Sequence, residues 1–342
     1  MSCAAYGLAV IHDTPILLRG GAHRGINERD PPHVRETARV QEPWEDPAWL
    51  ATAVAWIDEQ LDAADRSRTG DLDQMHVRPW STVIRVPTGD GDVFFKANIP
   101  ELRHEAVVAL HLARRVPDRV PPLIADDTER GWMLMADGGR RLREVIDEER
   151  DLSRWDDVIE GAADIARAME PDVDVLLAAG VPDFRLAVLP DKYAALVEDP
   201  AFEQRFRDAV PRVREMAEEL ATYGVTETLQ HDDLHDGQVF VRGDRQLILD
   251  WGDCVISHPF FTMSVTLEGV VAWGLDDVEN AVDLDPLIDR YVRRYDPDRP
   301  ELRDVVPLAL RLGWACRAAN GTVAEDPEST KSRLRMFLDG RV

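Results

Sequence analysis

The sequence contains few cysteines and no long apolar run. Cys3, Cys254 and Cys316 are an odd number of widely spaced thiols, a pattern that argues against a disulfide framework and a zinc knuckle. No apolar stretch reaches the roughly 18 residues that a membrane-spanning helix requires, and no targeting segment is expected. These absences predict a cytoplasmic protein without a membrane partner.

Positive charge is scarce as well. The chain has 40 lysine and arginine residues against 65 aspartate and glutamate residues, which gives a formal net charge of −25 at pH 7. A surface of this sign repels nucleic acids and anionic membranes, so neither is expected as a partner. The charge is compatible with a cationic or neutral small molecule, although solubility is its simplest explanation.

Lysine is the rarer of the two basic residues. It occurs only at Lys96, Lys192 and Lys331. Lys96 ends an apolar strand, and Glu101 or Glu105 on the following helix could pair with its ammonium group. A compact charge of this kind suits a phosphate contact, whereas a lysine that merely extends to solvent is the simpler interpretation.

The chain divides into three regions by pattern. Residues 1–44 mix glycine, proline and charge without periodicity, and we interpret them as an N-terminal extension. Residues 45–136 should form a small lobe, because a capped helix is followed by an antiparallel meander, a second helix and a further strand. Residues 137–342 should form a larger lobe of helices with one hairpin, beginning at a hinge over residues 137–139. The predicted fold class is therefore α+β, with two lobes.

The most informative segment is polar. Residues 229–238 read LQHDDLHDGQ, and DWGD follows at residues 250–253. Crowded carboxylates raise one another's pKa unless a cation or a shared proton relieves the repulsion. The predicted hairpin between the two segments should return Asp250 to the side of Asp233. The segment thus predicts a metal site or a proton-transfer site.

The order of these motifs resembles that of protein kinases. The motifs occur in the following order: a lysine on a strand, a glutamate on the next helix, a hinge, a loop with an aspartate ahead of an amide side chain, a hairpin and a second aspartate. The loop itself is similar to that of the aminoglycoside phosphotransferase and choline kinase superfamily, which typically reads His-Gly-Asp-Leu-His-x-Gly-Asn. The resemblance spans roughly residues 70–275. It implies a protein-kinase-like fold and a kinase that uses ATP and Mg²⁺ to phosphorylate a hydroxyl group of a small molecule.

The resemblance also implies a role for individual residues. Asp233 would be the catalytic base that takes up the proton of the acceptor hydroxyl. Asp250 and Gln238 would bind Mg²⁺. Lys96 would hold the α and β phosphates, and Glu105, in preference to Glu101, would fix Lys96 from the helix.

The nucleotide site is expected to be unusual, because neither a P-loop nor a GxGxxG loop precedes the strand lysine. The segment over residues 79–81 is a candidate substitute, in which the Ser81 hydroxyl or nearby N–H groups meet a phosphate. Trp80 in this segment is equally well interpreted as a packing residue.

Adenine is expected against the hinge. There, backbone groups of Met135, Ala136 and Asp137 would replace hydrogen bonds to water. Leu134 and Ile248 are expected as apolar walls nearby.

Five positions near the loop are ambiguous. Asp232 replaces the usual glycine and is expected to face solvent, or else to add charge to the site. Gln238 replaces asparagine and carries its carbonyl oxygen one methylene further out. His231 and His235 are expected to brace the loop by hydrogen bonds, and Asp253 would be either an outer contact of the metal or a local turn cap.

Two other functions remain compatible with the sequence. A metal-dependent hydrolase could use His231, His235, Asp232 and Asp233 as ligands. A nucleotide-binding protein of weak catalytic activity would account for Gln238, for Asp232 and for the missing glycine loop.

The acceptor is expected in the helical lobe. Acidic residues at its rim would attract a cationic aminoglycoside or amino sugar, which is a hypothesis suggested by their charge. The candidate residues are Asp183, Asp191, Glu198, Asp276, Asp277 and Glu279.

Overall fold

The computed structural model describes residues 43–272, 282–321 and 327–340. Its first part is a sheet with two helices, as the sequence predicts. The elements are α1 (Pro47–Ala63), β1 (Asp73–Val77), β2 (Ser81–Thr88), β3 (Gly91–Asn98), α2 (His104–Arg115), β4 (Leu123–Asp127) and β5 (Trp132–Ala136). Asp46 caps α1 as expected, because its Oδ1 accepts a hydrogen bond from the Ala48 N–H at 2.9 Å.

All neighbouring strands of this sheet are antiparallel, in the order β1-β2-β3-β5-β4. Successive side chains of a strand point to opposite faces. Phe95 and Leu134 therefore pack together with α1, whereas Lys96 and its cross-strand neighbour Met133 point the other way and line a cleft. Strand β4 was not predicted from the sequence, because the two aspartates at its end are typical of a turn.

The core between α1 and the sheet is aromatic. Trp44, Trp49, Trp56, Phe95 and Trp132 form a chain of ring contacts with centroids 5.2–6.4 Å apart. Trp44 is buried here, although the sequence places it in the extension that ends at residue 44. The small lobe therefore begins before residue 45, and the extension over residues 1–42 lies outside the described residues.

The second part of the chain is mainly helical, as predicted. Its elements are β6 (Arg140–Arg141), α3 (Leu142–Glu149), α4 (Trp155–Met169), α5 (Val173–Ala178), α6 (Leu189–Val197), α7 (Gln204–Asp208), α8 (Val210–Ala221), β7 (Thr228–Gln230), β8 (Val239–Arg242), β9 (Arg245–Ile248), β10 (Val255–Ser257), α9 (Thr262–Ala272), α10 (Asp285–Tyr295), α11 (Val306–Asn320) and α12 (Pro327–Asp339). No helix in these described ranges is long and apolar enough to cross a membrane.

The predicted hinge depends on a glycine. Gly139 has a φ of +97°, and a Cβ atom there would collide with the carbonyl oxygen of Val241 in β8. This close approach lets β6 pair with β8 directly after the hinge. The hinge is thus packed against the hairpin that carries the polar segment.

Two short strand pairs hold the polar segment in place. The predicted hairpin of β8 and β9 is confirmed, with Val239 opposite Ile248. A second pair, β7 with β10, was not predicted, because each strand has only three residues. Loop 231–238 runs from β7 to β8, and Asp250 follows β9, so both ends of the loop and the second acidic segment are anchored by backbone hydrogen bonds.

An ion pair joins α2 to the helical part. Asp172, just before α5, accepts hydrogen bonds from Arg115 at 2.6 and 3.0 Å and contacts His111 Nδ1 at 2.9 Å. Its side chain is largely buried, but the hydrogen bonds from Arg115, supported by His111, hold the pKa of Asp172 at about 2. The charged form is therefore the one that stabilises the fold.

We expect Asp172→Asn to lower the free energy of unfolding at pH 7 by about 1 to 2 kcal/mol, since part of the interaction is exposed to solvent. Because the pKa of Asp172 is depressed in the folded state, its stabilisation is complete above the ordinary carboxyl pKa and is lost as the pH falls towards 2. Urea unfolding of both proteins between pH 7 and pH 3 measures the difference. Equal stability at pH 7 would contradict the prediction.

Candidate active site

Lys96 lies between two buried carboxylates. Its Nζ donates hydrogen bonds to Glu105 Oε1 at 2.7 Å and to Asp250 Oδ1 at 2.6 Å. Burial alone would lower the pKa of Lys96, but the two carboxylates outweigh it and raise that pKa above its ordinary value. The predicted contact with Glu105 is confirmed, while Glu101 lies exposed in the turn before α2.

Glu105 connects α2 to the residues that follow Asp250. Its Oε1 accepts a hydrogen bond from the Trp251 N–H at 3.1 Å, and its Oε2 accepts one from Asn98 Nδ2 at 2.7 Å. On the same helix, His104 Nε2 lies 3.0 Å from the Gly252 carbonyl oxygen. The position of α2 is therefore fixed by the segment that carries Asp250.

The hairpin brings Gln238 and Asp250 to one end. The Leu249 N–H donates to the Gln238 carbonyl oxygen at 2.9 Å, which places Gln238 opposite Leu249 and next to Asp250. Asp250 has a left-handed backbone, with φ 62° and ψ 63°, an uncommon conformation for a residue with a side chain. Both side chains line the same cleft.

These two residues offer oxygen atoms of the kind that Mg²⁺ prefers. A carboxylate and an amide carbonyl are hard ligands, and Mg²⁺ in kinases is completed by waters and phosphate oxygens rather than by a full protein cage. No group of three His, Cys, Asp or Glu side chains that could hold a metal occurs within the described part of the chain. The donor set therefore fits a metal that arrives with a nucleotide.

The two loop histidines brace the backbone, as predicted. His231 Nδ1 accepts from the Asp233 N–H at 3.3 Å, and its Nε2 lies 2.8 Å from the Leu249 carbonyl oxygen. Burial lowers the pKa of His231 and so favours the neutral ring. His235 Nδ1 accepts from the Gly237 N–H at 2.9 Å. These contacts use both nitrogen atoms of His231 and one nitrogen atom of His235, and they oppose the interpretation of the two residues as ligands of a metal-dependent hydrolase.

Asp232 does not face solvent, so that expectation is wrong. Its side chain is 2% exposed and accepts hydrogen bonds from Gln230 Nε2 at 3.1 Å and from Asn320 Nδ2 at 2.8 Å. Burial raises the pKa of Asp232, while Arg317 and the two amides favour its charged form. The added charge is thus compensated inside the protein.

Arg317 was not identified by the sequence analysis. Its guanidinium, on α11, lies 3.0 Å from Asp233 Oδ1, 3.0 Å from Asp253 Oδ2 and 3.7 Å from Asp232 Oδ2. Asp253 is therefore engaged with Arg317. The available signal was an arginine within the apolar run over residues 312–319, but no spacing links it to a loop about 80 residues earlier in the chain.

An apolar cleft adjoins Lys96. Ile248, which was expected as an apolar wall, lines it, and Met135 lines it as well. Leu134 does not, because alternation along β5 turns it towards the core beside α1. The other lining residues are Glu105, Ala109, Leu112, Val120, Pro121, Leu123, Met133, Gln238, Phe240, Leu249, Asp250 and Trp251.

Three residues of the predicted nucleotide site are engaged within the protein. The Ala136 N–H donates to the Pro122 carbonyl oxygen at 2.9 Å and is not available to adenine. The Asp137 carbonyl oxygen accepts from Arg242 Nη1 at 3.1 Å, and Asp137 Oδ1 accepts from the Gly139 N–H at 2.9 Å and shapes the hinge. Ser81 is the first residue of β2 and is buried opposite Asn98. Sequence patterns could not show that Ser81 belongs to β2, because they mark the ends of strands poorly.

The predicted acidic rim is only partly described. Asp183 is bound by Arg185 at 2.7 Å, and Asp191 by Arg214 at 3.0 Å, so their charges are compensated. Glu198 is exposed. Asp276, Asp277 and Glu279 lie outside the described residues.

The decisive comparison is with a family profile. Residues 80–305 match the profile of the phosphotransferase enzyme family. The chain belongs to this family. As a member of it, the chain is an ATP-dependent small-molecule kinase, and the predicted superfamily is confirmed. No curated protein sequence matches the chain.

Solved structures show that this phosphotransferase has a protein-kinase-like, two-lobed α+β fold. An ethanolamine kinase of Plasmodium vivax has a TM-score of 0.61 at 11% identity, over 88% of this chain and 91% of that chain. The complex of streptomycin and ATP with APH(2'')-IIa has a TM-score of 0.54 at 13% identity, over 84% and 98%. A choline/ethanolamine kinase family protein of Mesorhizobium loti has a TM-score of 0.51 at 16% identity, over 84% and 95%.

We expect Lys96→Met to lower the free energy of unfolding by about 3 kcal/mol, because it leaves Glu105 and Asp250 buried without their cation. Adding Asp250→Asn should recover part of this loss, since it removes one of the two charges. Urea unfolding measures both effects. Arg85→Met, which breaks a partly exposed pair with Asp92 on the same sheet, is the control and should cost less than about 1 kcal/mol. A loss for Lys96→Met no larger than that of the control would contradict the prediction.

Proposed function

We propose that the chain transfers the γ-phosphoryl group of ATP to a hydroxyl group of an amine-bearing small molecule, with Asp233 as the catalytic base. The observation that carries the proposal is the placement of Lys96 between Glu105 and Asp250 beside an apolar cleft. A charged ammonium at this place would bind phosphate oxygens, and the cleft would bind the base of the nucleotide.

Asp233 is suited to receive the proton of the acceptor. Its backbone is held by His231 and its Oδ1 by Arg317, while 12% of its side chain remains exposed. In the reaction, the hydroxyl oxygen forms a bond to the γ-phosphorus, the bond to the β-phosphate oxygen breaks, and ADP leaves. The proton of the hydroxyl passes to the Asp233 carboxylate. Positioning of this kind accounts for most of the catalysis in phosphoryl transfer.

Gln238 and Asp250 would hold Mg²⁺. When bound, the metal would neutralise charge on the phosphate oxygens. Lys96 would then bind the phosphates, and Glu105 would keep the ammonium group in place from α2. Asp250 has a left-handed backbone and lines the cleft.

The acceptor we favour carries both a hydroxyl group and a cationic nitrogen, as aminoglycosides and amino sugars do. Streptomycin, choline and ethanolamine, named for the similar structures, share this combination. The net charge of −25 attracts such cations. The paired states of Asp183 and Asp191 mean that this attraction would not come from those two residues.

The direct test is an acceptor panel read by ADP release in the presence of Mg²⁺. It should include aminoglycosides, amino sugars, choline, ethanolamine and neutral sugars. ADP release that depends on one aminoglycoside or amino sugar supports the proposal. Preference for neutral sugars at every salt concentration would refute the cationic acceptor, and tight ATP binding without any phosphorylated product would identify a nucleotide-binding protein instead.

Asp233→Asn should lower kcat by about 10²- to 10⁴-fold, because the hydroxyl loses its proton acceptor. The affinity for ATP, measured by calorimetry, should change little. Asp244→Asn, in the exposed turn of the β8–β9 hairpin, provides the matched control and should keep the wild-type rate. Substantial turnover by the Asp233 variant would show that another group takes the proton.

Asp250→Asn should raise the Mg²⁺ concentration needed for half-maximal ADP release by at least about tenfold, because it removes the one carboxylate of the donor set. Gln238→Asn should have a smaller effect, since the carbonyl oxygen is kept and moves by one methylene. Calorimetry of ADP binding with and without Mg²⁺ gives a second readout. Unchanged metal dependence in both variants would remove these residues from the metal site.

A further inference from the structure

We propose that Arg317 is a positioning residue for Asp233 and that Asp232 keeps Arg317 in place. The inference rests on the proposed role of Asp233 as catalytic base. It assigns a function to a buried contact between α11 and loop 231–238 that the sequence analysis did not anticipate.

The contact is short and buried. Arg317 is 1% exposed, and its guanidinium meets Asp233 Oδ1 and Asp253 Oδ2, each at 3.0 Å. One guanidinium nitrogen, Nη2, makes both contacts, so Asp233 and Asp253 are held to the same atom. A guanidinium held in this way fixes the rotation of the Asp233 carboxylate, whose other oxygen, Oδ2, lies 3.8 Å from His235 Nε2.

Asp232 completes the arrangement from the other side of the guanidinium. Its Oδ2 lies 3.7 Å from Arg317 Nη1 and accepts a hydrogen bond from Asn320 Nδ2 at 2.8 Å. Asn320 Nδ2 also donates to the Asp253 carbonyl oxygen at 2.7 Å. Arg317 and Asn320, one turn apart on α11, thus bind loop 231–238 and residue 253 together.

The backbone of Asp232 supports a role for its side chain. Its φ is 64°, a left-handed conformation that glycine adopts more readily than a residue with a Cβ atom. Its carboxylate is also buried, which is a further cost. A glycine would avoid both costs, so the geometry points to a benefit that glycine cannot supply, namely the hold on Arg317.

This role predicts a specific kinetic signature. Asp233 would contact the acceptor hydroxyl and not the nucleotide, so a misoriented Asp233 should lower kcat and leave the KM for MgATP unchanged. A residue needed only for folding would instead change the amount of active enzyme and its unfolding midpoint.

The variants are Asp232→Gly, Arg317→Lys and Arg317→Met, assayed with MgATP and the best acceptor of the panel. Asp232→Gly should lower kcat by about tenfold, with the KM for MgATP within about twofold of wild type. Arg317→Lys should retain clearly more activity than Arg317→Met, because it keeps the charge. In the Arg317→Met background, adding Asp232→Gly should lower kcat much less than it does in the wild type, because the two residues act through the same contact.

Arg290→Met is the control variant. Arg290 also binds two carboxylates, Glu160 at 2.6 Å and Asp156 at 3.0 Å, but on the outer side of α10 and α4. Its kcat should equal that of wild type. If Arg317→Met does not fold, Asp232→Gly and Arg317→Lys decide the question, since both keep a cation between Asp233 and Asp253.

Crystal structures of wild type and Asp232→Gly separate this inference from the proposed function. A rotated Asp233 carboxylate in the variant supports the inference even if no acceptor in the panel is phosphorylated, which would count against the proposed function alone. A wild-type kcat in Asp232→Gly, or an Asp233 carboxylate in its original orientation, would overturn the inference while leaving the kinase assignment intact.

Discussion

The ion pairs of Lys96 are the interaction on which the rest of the structure depends. Two carboxylates and one ammonium group are buried together, at a cost in solvation that only short contacts can offset. Each partner comes from a different element: Lys96 from β3, Glu105 from α2 and Asp250 from the segment after β9. Satisfying the charges therefore fixes the sheet, the helix and the hairpin relative to one another, and it places the cleft where they meet.

The main chain of residues 249–251, which follows β9, also positions loop 231–238. It binds Glu105 on one side, and its Leu249 carbonyl oxygen binds His231 of loop 231–238 on the other. Loop 231–238 is consequently coupled to α2 through a short stretch of main chain. Asp233 and Asp250 have separate proposed tasks, but their positions are set by one connected network, which is the arrangement that phosphoryl transfer needs.

Loop 231–238 departs from the usual pattern at Asp232, and the structure gives a physical reason for it. A side chain with positive φ and a buried charge would be unfavourable alone. Here the carboxylate is matched by Arg317 and Asn320 from α11, a helix close to the end of the chain. Helix α11 thus takes part in the site, although it carries none of the motifs by which the family is identified.

The sequence by itself determined the two lobes and the hairpin that returns Asp250 to the side of Asp233, because both follow from local periodicity and turn residues. The choice of Glu105 as the partner of Lys96 and the grouping of Gln238 with Asp250 were implied by the resemblance to the phosphotransferase family. Tertiary structure alone decided the rest. Leu134 points away from the cleft, Ser81 lies in β2 and Asp232 is buried. These positions depend on which neighbours pack against each residue. Arg317 reaches Asp233 only because α11 folds back across loop 231–238, and no local pattern encodes a contact between residues so far apart in the chain.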